Sequence, residues 1–167
     1  TQHICAGLGK LYKLGIRRYD EDNNMVKKSV IYLDGQMRKD FELLEAEAKD
    51  GKINLEDKHL GYSQIHYLYM RSFFRNIKIE KQDERAFEYF LDQERKYWNN
   101  REIQIEGMTA LTLHRFGDTV ISNQIVNSLK DKSTNSEELG IYWKNNSLGY
   151  FWYEAPIETQ ALMIEVF

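Results

Sequence analysis

The sequence predicts an all-α protein, a layered array of antiparallel helical hairpins, and three observations predict it. Apolar residues recur at three- and four-residue spacing in segment after segment, which is the period of a helix with one buried face. Strand-like alternation is almost absent. The only proline, Pro156, stands where an apolar run begins, at the one helical position that tolerates it well.

Ile4, Leu8 and Leu11 mark the apolar stripe of a first helix, and Gly15 supplies its C-terminal stop. Asp22, Asn23 and Asn24 offer capping oxygens to a second, whose stripe is Met25, Val26, Val30, Leu33 and Met37, continuing through Phe41 and Leu44 towards Ala48. Gly35 falls inside it and is expected to weaken or bend it by up to ~1 kcal/mol relative to alanine. Asp50-Gly51-Lys52 reads as a turn, and a third helix follows from Ser63 to Phe74 with Ile65, Leu68 and Ser72 on its face and Tyr62, Tyr69 and Phe73 beside it. Between Gln82 and Trp98, Ala86, Phe87, Phe90 and Leu91 oppose Glu84, Glu88, Gln93 and Glu94, giving a fourth, amphipathic helix. A fifth starts near Ile103 and runs to Gly117. Asp118 and Thr119 cap a sixth in which Val120, Ile121, Ile125, Val126 and Leu129 face the core, and Asp131 to Asn135 close it.

Beyond that point the pattern changes. Gly140-Ile141-Tyr142-Trp143 and Gly149-Tyr150-Phe151-Trp152-Tyr153 flank the polar Asn145-Asn146-Ser147 link, and one short aromatic β-hairpin near 140–153 is weighed equally with an ordered loop. The last helix begins near Ala155, with Glu158 close to its positive end. Thr1-Gln2-His3-Ile4, Ser63-Gln64-Ile65-His66 and Thr159-Gln160-Ala161-Leu162 each set a small hydroxyl residue and a glutamine before an apolar run, a weak repeat of irregular spacing that suits stacked hairpins.

Composition excludes several functions. A net charge of -3 with interspersed signs and no Lys/Arg run leaves no footprint for nucleic acid. No apolar stretch approaches the ~20 residues of a membrane span, so no membrane contact is expected of this segment. Cys5 is the only cysteine, which rules out an internal disulfide and a multi-cysteine zinc site; beside Ala6 and Gly7 it reads as a small core residue. His3, His59, His66 and His114 are scattered without ligand spacing, so no metal is expected, and they read as surface or interhelical hydrogen-bonding groups. Acidic groups such as Glu42, Glu45, Glu47, Glu137 and Glu138 read as solvated helix faces. No phosphate-cradling loop or nucleophile elbow is present, and no cofactor or catalytic residue is assigned. The aromatic cluster is the one candidate surface: Trp143, Tyr150, Trp152 and Tyr153, with Glu154, form an expected binding rim, set against a role in sealing one end of the array, in which Glu154 orders the turn before Pro156.

Four segments carry a family resemblance: Thr1 to Leu11, Ile105-Glu106-Gly107-Met108-Thr109-Ala110-Leu111, Tyr142-Trp143-Lys144, and Trp152-Tyr153-Glu154-Ala155-Pro156-Ile157-Glu158-Thr159-Gln160-Ala161-Leu162. With them the chain resembles the thioester-type domain of bacterial α2-macroglobulin-like proteins. The resemblance implies an α/α toroid, of which residues 1–167 would be a single-domain excerpt. It implies a non-catalytic scaffold portion of an endopeptidase inhibitor that is cleaved in a bait region and entraps the protease. The implied partners are that target protease, met through the full-length parent, and other domains of the same parent chain. The implied location is the cell envelope, periplasmic or outer-membrane-associated. The Cys-Gly-Glu-Gln motif of thioester-bearing members does not occur in this sequence, and Cys5 is followed by Ala6, Gly7 and Leu8, so no acyl chemistry is carried over. Two other readings stand beside it: a toroid enzyme acting on a glycan or isoprenoid, and a helical peptide-binding scaffold.

Overall fold

A computed structural model describes residues 1–16 and 24–167. Among them are seven helices and one two-stranded sheet, so the protein is all-α in class. The chain divides into two compact units, Thr1–Tyr97 and Trp98–Phe167. No helix among the described residues is long and apolar enough to cross a membrane.

The first unit holds α1 (Gln2–Lys13), α2 (Asn24–Lys49), α3 (Tyr62–Ser72) and α4 (Glu84–Lys96). Gly15 takes a φ of 68° beyond the end of α1, the left-handed conformation expected of a helix stop. Asp22 and Asn23, expected to help cap the second helix, lie outside the described residues. Helix α2 runs unbroken through Gly35.

The buried face of α1 differs from the expected one. Ile4 is 67 % exposed and Leu11 is exposed as well, whereas Cys5, Ala6 and Gly9 are buried. The cause is a close approach of α3, because a Cβ on Gly9 would come within 2.6 Å of both Cβ and Cγ of Phe73. Small residues let the two helices meet there, and the larger side chains are turned outward. Burial pushes the Cys5 thiol up, which suits a core residue and not a nucleophile.

Contacts along α1 and α3 advance in step: the His3 and His66 rings lie 4.1 Å apart, and the Tyr12 and Phe74 rings 6.4 Å. The helices are therefore parallel. Helix α3 runs antiparallel to α2, since Gln64 reaches Asp40 while Tyr67 and Arg71 reach Asp34. Helix α4 in turn follows the direction of α2. Arg38 pairs with Asp83 at its start (2.8 Å), and further along Gln93 bonds the connection after α2, accepting from the His59 N–H and donating to the Asp57 carbonyl. Parallel helices within a layer and antiparallel ones between layers make the local pattern of a layered α/α array.

The histidines are less scattered than their spacing suggests, because the fold joins His3 to His66 and sets Gln2 Oε1 3.3 Å from His66 Nδ1. Burial first, and His3 second, depress the His66 pKa to about 4. A folded-state value below the unfolded one of about 6.5 contributes stability that is complete above pH 6.5 and lost as pH falls towards 4. Over that window His66 accounts for about 3 kcal/mol. In urea melts between pH 7 and pH 4, the wild type is expected to lose more stability than His66→Gln by about that amount; equal pH slopes would refute the assignment.

The second unit holds α5 (Ile103–Arg115), α6 (Thr119–Asp131), β1 (Thr134–Ser136), β2 (Gly140–Tyr142) and α7 (Pro156–Val166). Gly117 turns the chain with a φ of 92°, and the Asp118 side chain accepts from the Ile121 N–H at 3.2 Å, the expected cap of α6. Helices α5 and α6 are antiparallel, tied by Ser122 Oγ to the Ala110 carbonyl and by Lys132 to Glu106. Of the expected core stripe of α6, Ile125 and Leu129 are fully buried, but Val120 is exposed. Helix α7 runs parallel to α5, with Thr159 beside Gln104 and Glu165 beside Arg115.

A hairpin exists, but between other residues than the aromatic pair. Thr134 pairs with Tyr142, Asn135 with Ile141 and Ser136 with Gly140. Residues 149–153 form a turn instead. The Gly149 N–H donates to the Glu154 carbonyl, the Glu154 N–H to the Phe151 carbonyl, and the Phe151 N–H to Glu154 Oε2. These bonds take up the backbone groups that a strand would need.

Candidate functional site

The second unit contains a polar cavity of about 630 Å³. One wall is the approach to α5, from Asn100 and Arg101 through Glu102, Ile103 and Gln104. The opposite wall is the link after β2, with Lys144 to Ser147, together with Tyr153, Glu154 and Thr159 at the entry to α7. Lys132 and Thr134, from the end of α6 and the start of the hairpin, close the space between them, and Trp143 forms part of the lining.

Each wall is held by bonds that the local sequence supplies. Trp143 is 4 % exposed and donates from Nε1 to the Leu129 carbonyl at 2.8 Å, which fastens the link to α6. Asn146 Nδ2 donates to the Pro156 carbonyl at 3.0 Å and ties the link to α7. The α5 wall is braced from below by Glu106, wholly buried, which accepts two bonds of 2.7 Å from Lys132 Nζ and one from the Arg101 N–H.

The expected rim residues therefore separate. Trp143, Tyr153 and Glu154 line the cavity, while Tyr150 is 95 % exposed and neither it nor Trp152 belongs to the lining. Tyr150, Phe151, Tyr153 and Trp152 instead touch one another in sequence, with Phe151 stacked on Tyr153 at 5.3 Å and 7°. Glu154 does order the turn before Pro156. A Cβ at Gly149 would collide with the Glu154 carboxylate and come within 2.8 Å of its Cβ, so glycine is required for the turn to close.

Sequence reasoning missed the other wall. Gln104, Lys132 and the polar run Asn100 to Glu102 carry no motif that would connect them with one another or with the lining residues from Trp143 to Thr159. Only the parallel packing of α5 and α7 does so. Gln104 is 6 % exposed, and its Oε1 accepts from Thr159 Oγ1 at 3.3 Å. Helix α5 has no side-chain cap, so the N–H groups of Ile103 and Gln104 are left facing the cavity without a partner among the described residues.

Three cations (Arg101, Lys132, Lys144) and two carboxylates (Glu102, Glu154) share the lining. This balance suits a polar ligand of low charge. Among the described residues no group of three or more His, Cys, Asp or Glu side chains is placed to hold a metal ion. Comparison with known proteins gives no match among family models, curated proteins or solved structures.

Proposed function

We propose that this chain is a non-catalytic scaffold portion of a bacterial α2-macroglobulin-like protease inhibitor, acting in protease trapping after bait cleavage. One observation carries the reading. Ile105 to Leu111, Tyr142 to Lys144 and Trp152 to Leu162, three of the four segments on which the resemblance rests, lie far apart in sequence and come together in the second unit. Trp143 and the Tyr153–Glu154 turn enter the same cavity, and Gly107 admits Leu162 and Met163 of α7 against α5. Residues that meet in space constrain one another, which gives such a motif set a physical reason. The layered pairing of α1 with α3 and of α2 with α4 in the first unit is the local arrangement that a toroid repeats.

The test uses the full-length parent, incubated with a broad-specificity protease and followed by native and denaturing electrophoresis with methylamine labelling. The expected result is cleavage in a bait segment with the protease retained. Degradation without retention would sink the proposal. A second reading, a toroid enzyme acting on a glycan, is favoured by the two carboxylates on one cavity with Tyr153 beside them. It requires glycan hydrolysis that disappears in Glu102→Gln, and it ranks second because Glu154 already braces its own turn.

A further inference from the structure

We infer that the cavity of the second unit is a binding site for a carboxylate monoanion, seated on the first turn of α5 and on the side chain of Gln104.

The helix start alone would not establish a site; Gln104 does. It is more than nine-tenths buried and lines the cavity, and its carbonyl oxygen is already occupied by the Thr159 hydroxyl. Its NH2 group has no partner among the described residues, and it is not sealed off from the cavity. A buried carboxamide held by one end, with its donor end facing an open polar space, is half of a hydrogen-bonding arrangement that an acceptor completes. Beside it stand the free N–H groups of Ile103 and Gln104, at the positive end of a 13-residue helix. Across the cavity Lys144 is exposed and has no partner among the described residues, so its ammonium group can approach the same acceptor.

The charge balance selects among acceptors. Lys132 is engaged by the buried Glu106, and Glu102 and Glu154 balance Arg101 and Lys144, so the lining carries no excess charge and the N–H donors supply the attraction for an anion. A balanced lining with a helix start suits a single negative charge, whereas a phosphate dianion would bring a second one towards two carboxylates. Planar oxygens in pairs also suit an array of N–H donors from one carboxamide and one helix start. The carboxylate can come from a small free acid or from the C-terminus of a peptide, and a cavity of about 630 Å³ has room for either.

The test is isothermal titration of the full chain with three probes: a pentapeptide with a free C-terminus, the same peptide amidated, and an N-acetylated amino acid. Saturable binding of the free peptide, at least about tenfold tighter than the amidated one, is expected from the loss of one charge-assisted set of bonds. Equal binding of the acetylated amino acid would assign the site to small acids; a clear preference for the peptide would assign it to chain ends. Gln104→Glu retains an acceptor for Thr159 but turns a negative oxygen into the cavity. The variant is expected to lose binding by tenfold or more and to melt somewhat lower, because its carboxylate is buried with only the helix start and a hydroxyl to offset it. Lys144→Gln should weaken binding several-fold without altering the melt. Absence of saturable binding by any carboxylate probe, equal affinity for the amidated peptide, or undiminished binding by Gln104→Glu would each overturn the inference. The inhibitor reading can stand without it.

Discussion

Replacing Arg71 with methionine is expected to destabilise the first unit by about 3–5 kcal/mol, the range found when one partner of a buried ion pair is removed. Arg71 is 1 % exposed. Its Nε donates to Asp34 Oδ1 at 3.0 Å, and its two Nη groups donate to the carbonyls of Phe74 and Ile77. One side chain thus neutralises a buried carboxylate and fixes the turn that follows α3. Methionine fills similar volume but leaves Asp34 with only the Tyr67 hydroxyl, removes the side-chain donor of the Ile77 carbonyl, and leaves the Phe74 carbonyl to the Ile77 N–H.

The pH dependence of that variant follows from Asp34. Burial raises its carboxyl above the ordinary range, against the pull of Arg71 and of the Tyr67 hydrogen bond. Without Arg71 it rises further. A folded-state pKa above the unfolded one means stability present at low pH and lost as pH climbs through the folded value. Urea unfolding of Arg71→Met should therefore show a larger deficit at pH 8 than at pH 5, and Asp34→Asn added to it should recover part of the loss. A deficit below about 1 kcal/mol, insensitive to pH, would show that the network contributes little.

The second large effect is expected from Lys132→Met, which removes the cation from Glu106. Glu106 has no exposed surface, and both its oxygens take 2.7 Å bonds from Lys132. What remains is a 3.3 Å bond from the Arg101 N–H. The expected loss is about 3 kcal/mol, at the low end of the range because the lysine side chain is 44 % exposed and water can partly replace it. Glu106→Gln in the same chain should restore much of it, since a neutral carboxamide needs no counter-charge. Thermal unfolding followed by near-ultraviolet circular dichroism reports on Trp143, which is anchored to the same end of α6. If the double variant were no more stable than Lys132→Met, the loss would lie in lysine packing and not in the buried charge.

The positions of the helices were legible because their signals are local. Gly15 and Gly117 stop helices with positive φ, Asp118 caps α6 through its own side chain, and Pro156 opens α7. Each involves residues within a turn or two of one another, and periodicity is sampled over the same range. Cys5 as a core residue was legible for a similar reason, its small neighbours being part of the same face. The aromatic rim was half legible. The ring types are adjacent in sequence, but whether Tyr150 or Tyr153 lines a cavity depends on the turn that Gly149 and Glu154 close.

By itself, then, the sequence determined an all-α chain, the extent of its helices and the turn before the last of them, because capping, glycine φ and helical period act over a few residues. Tertiary structure decided which face each helix buries, as Ile4 turned outward at the Gly9–Phe73 approach illustrates. It also decided that the polar 134–136 segment, and not the aromatic 149–153 segment, pairs with 140–142, and that Gln104, Lys132 and Lys144 share one cavity. These are long-range choices. They depend on which surfaces come close enough to exclude water and on whether the groups trapped there find partners, and no local pattern encodes that.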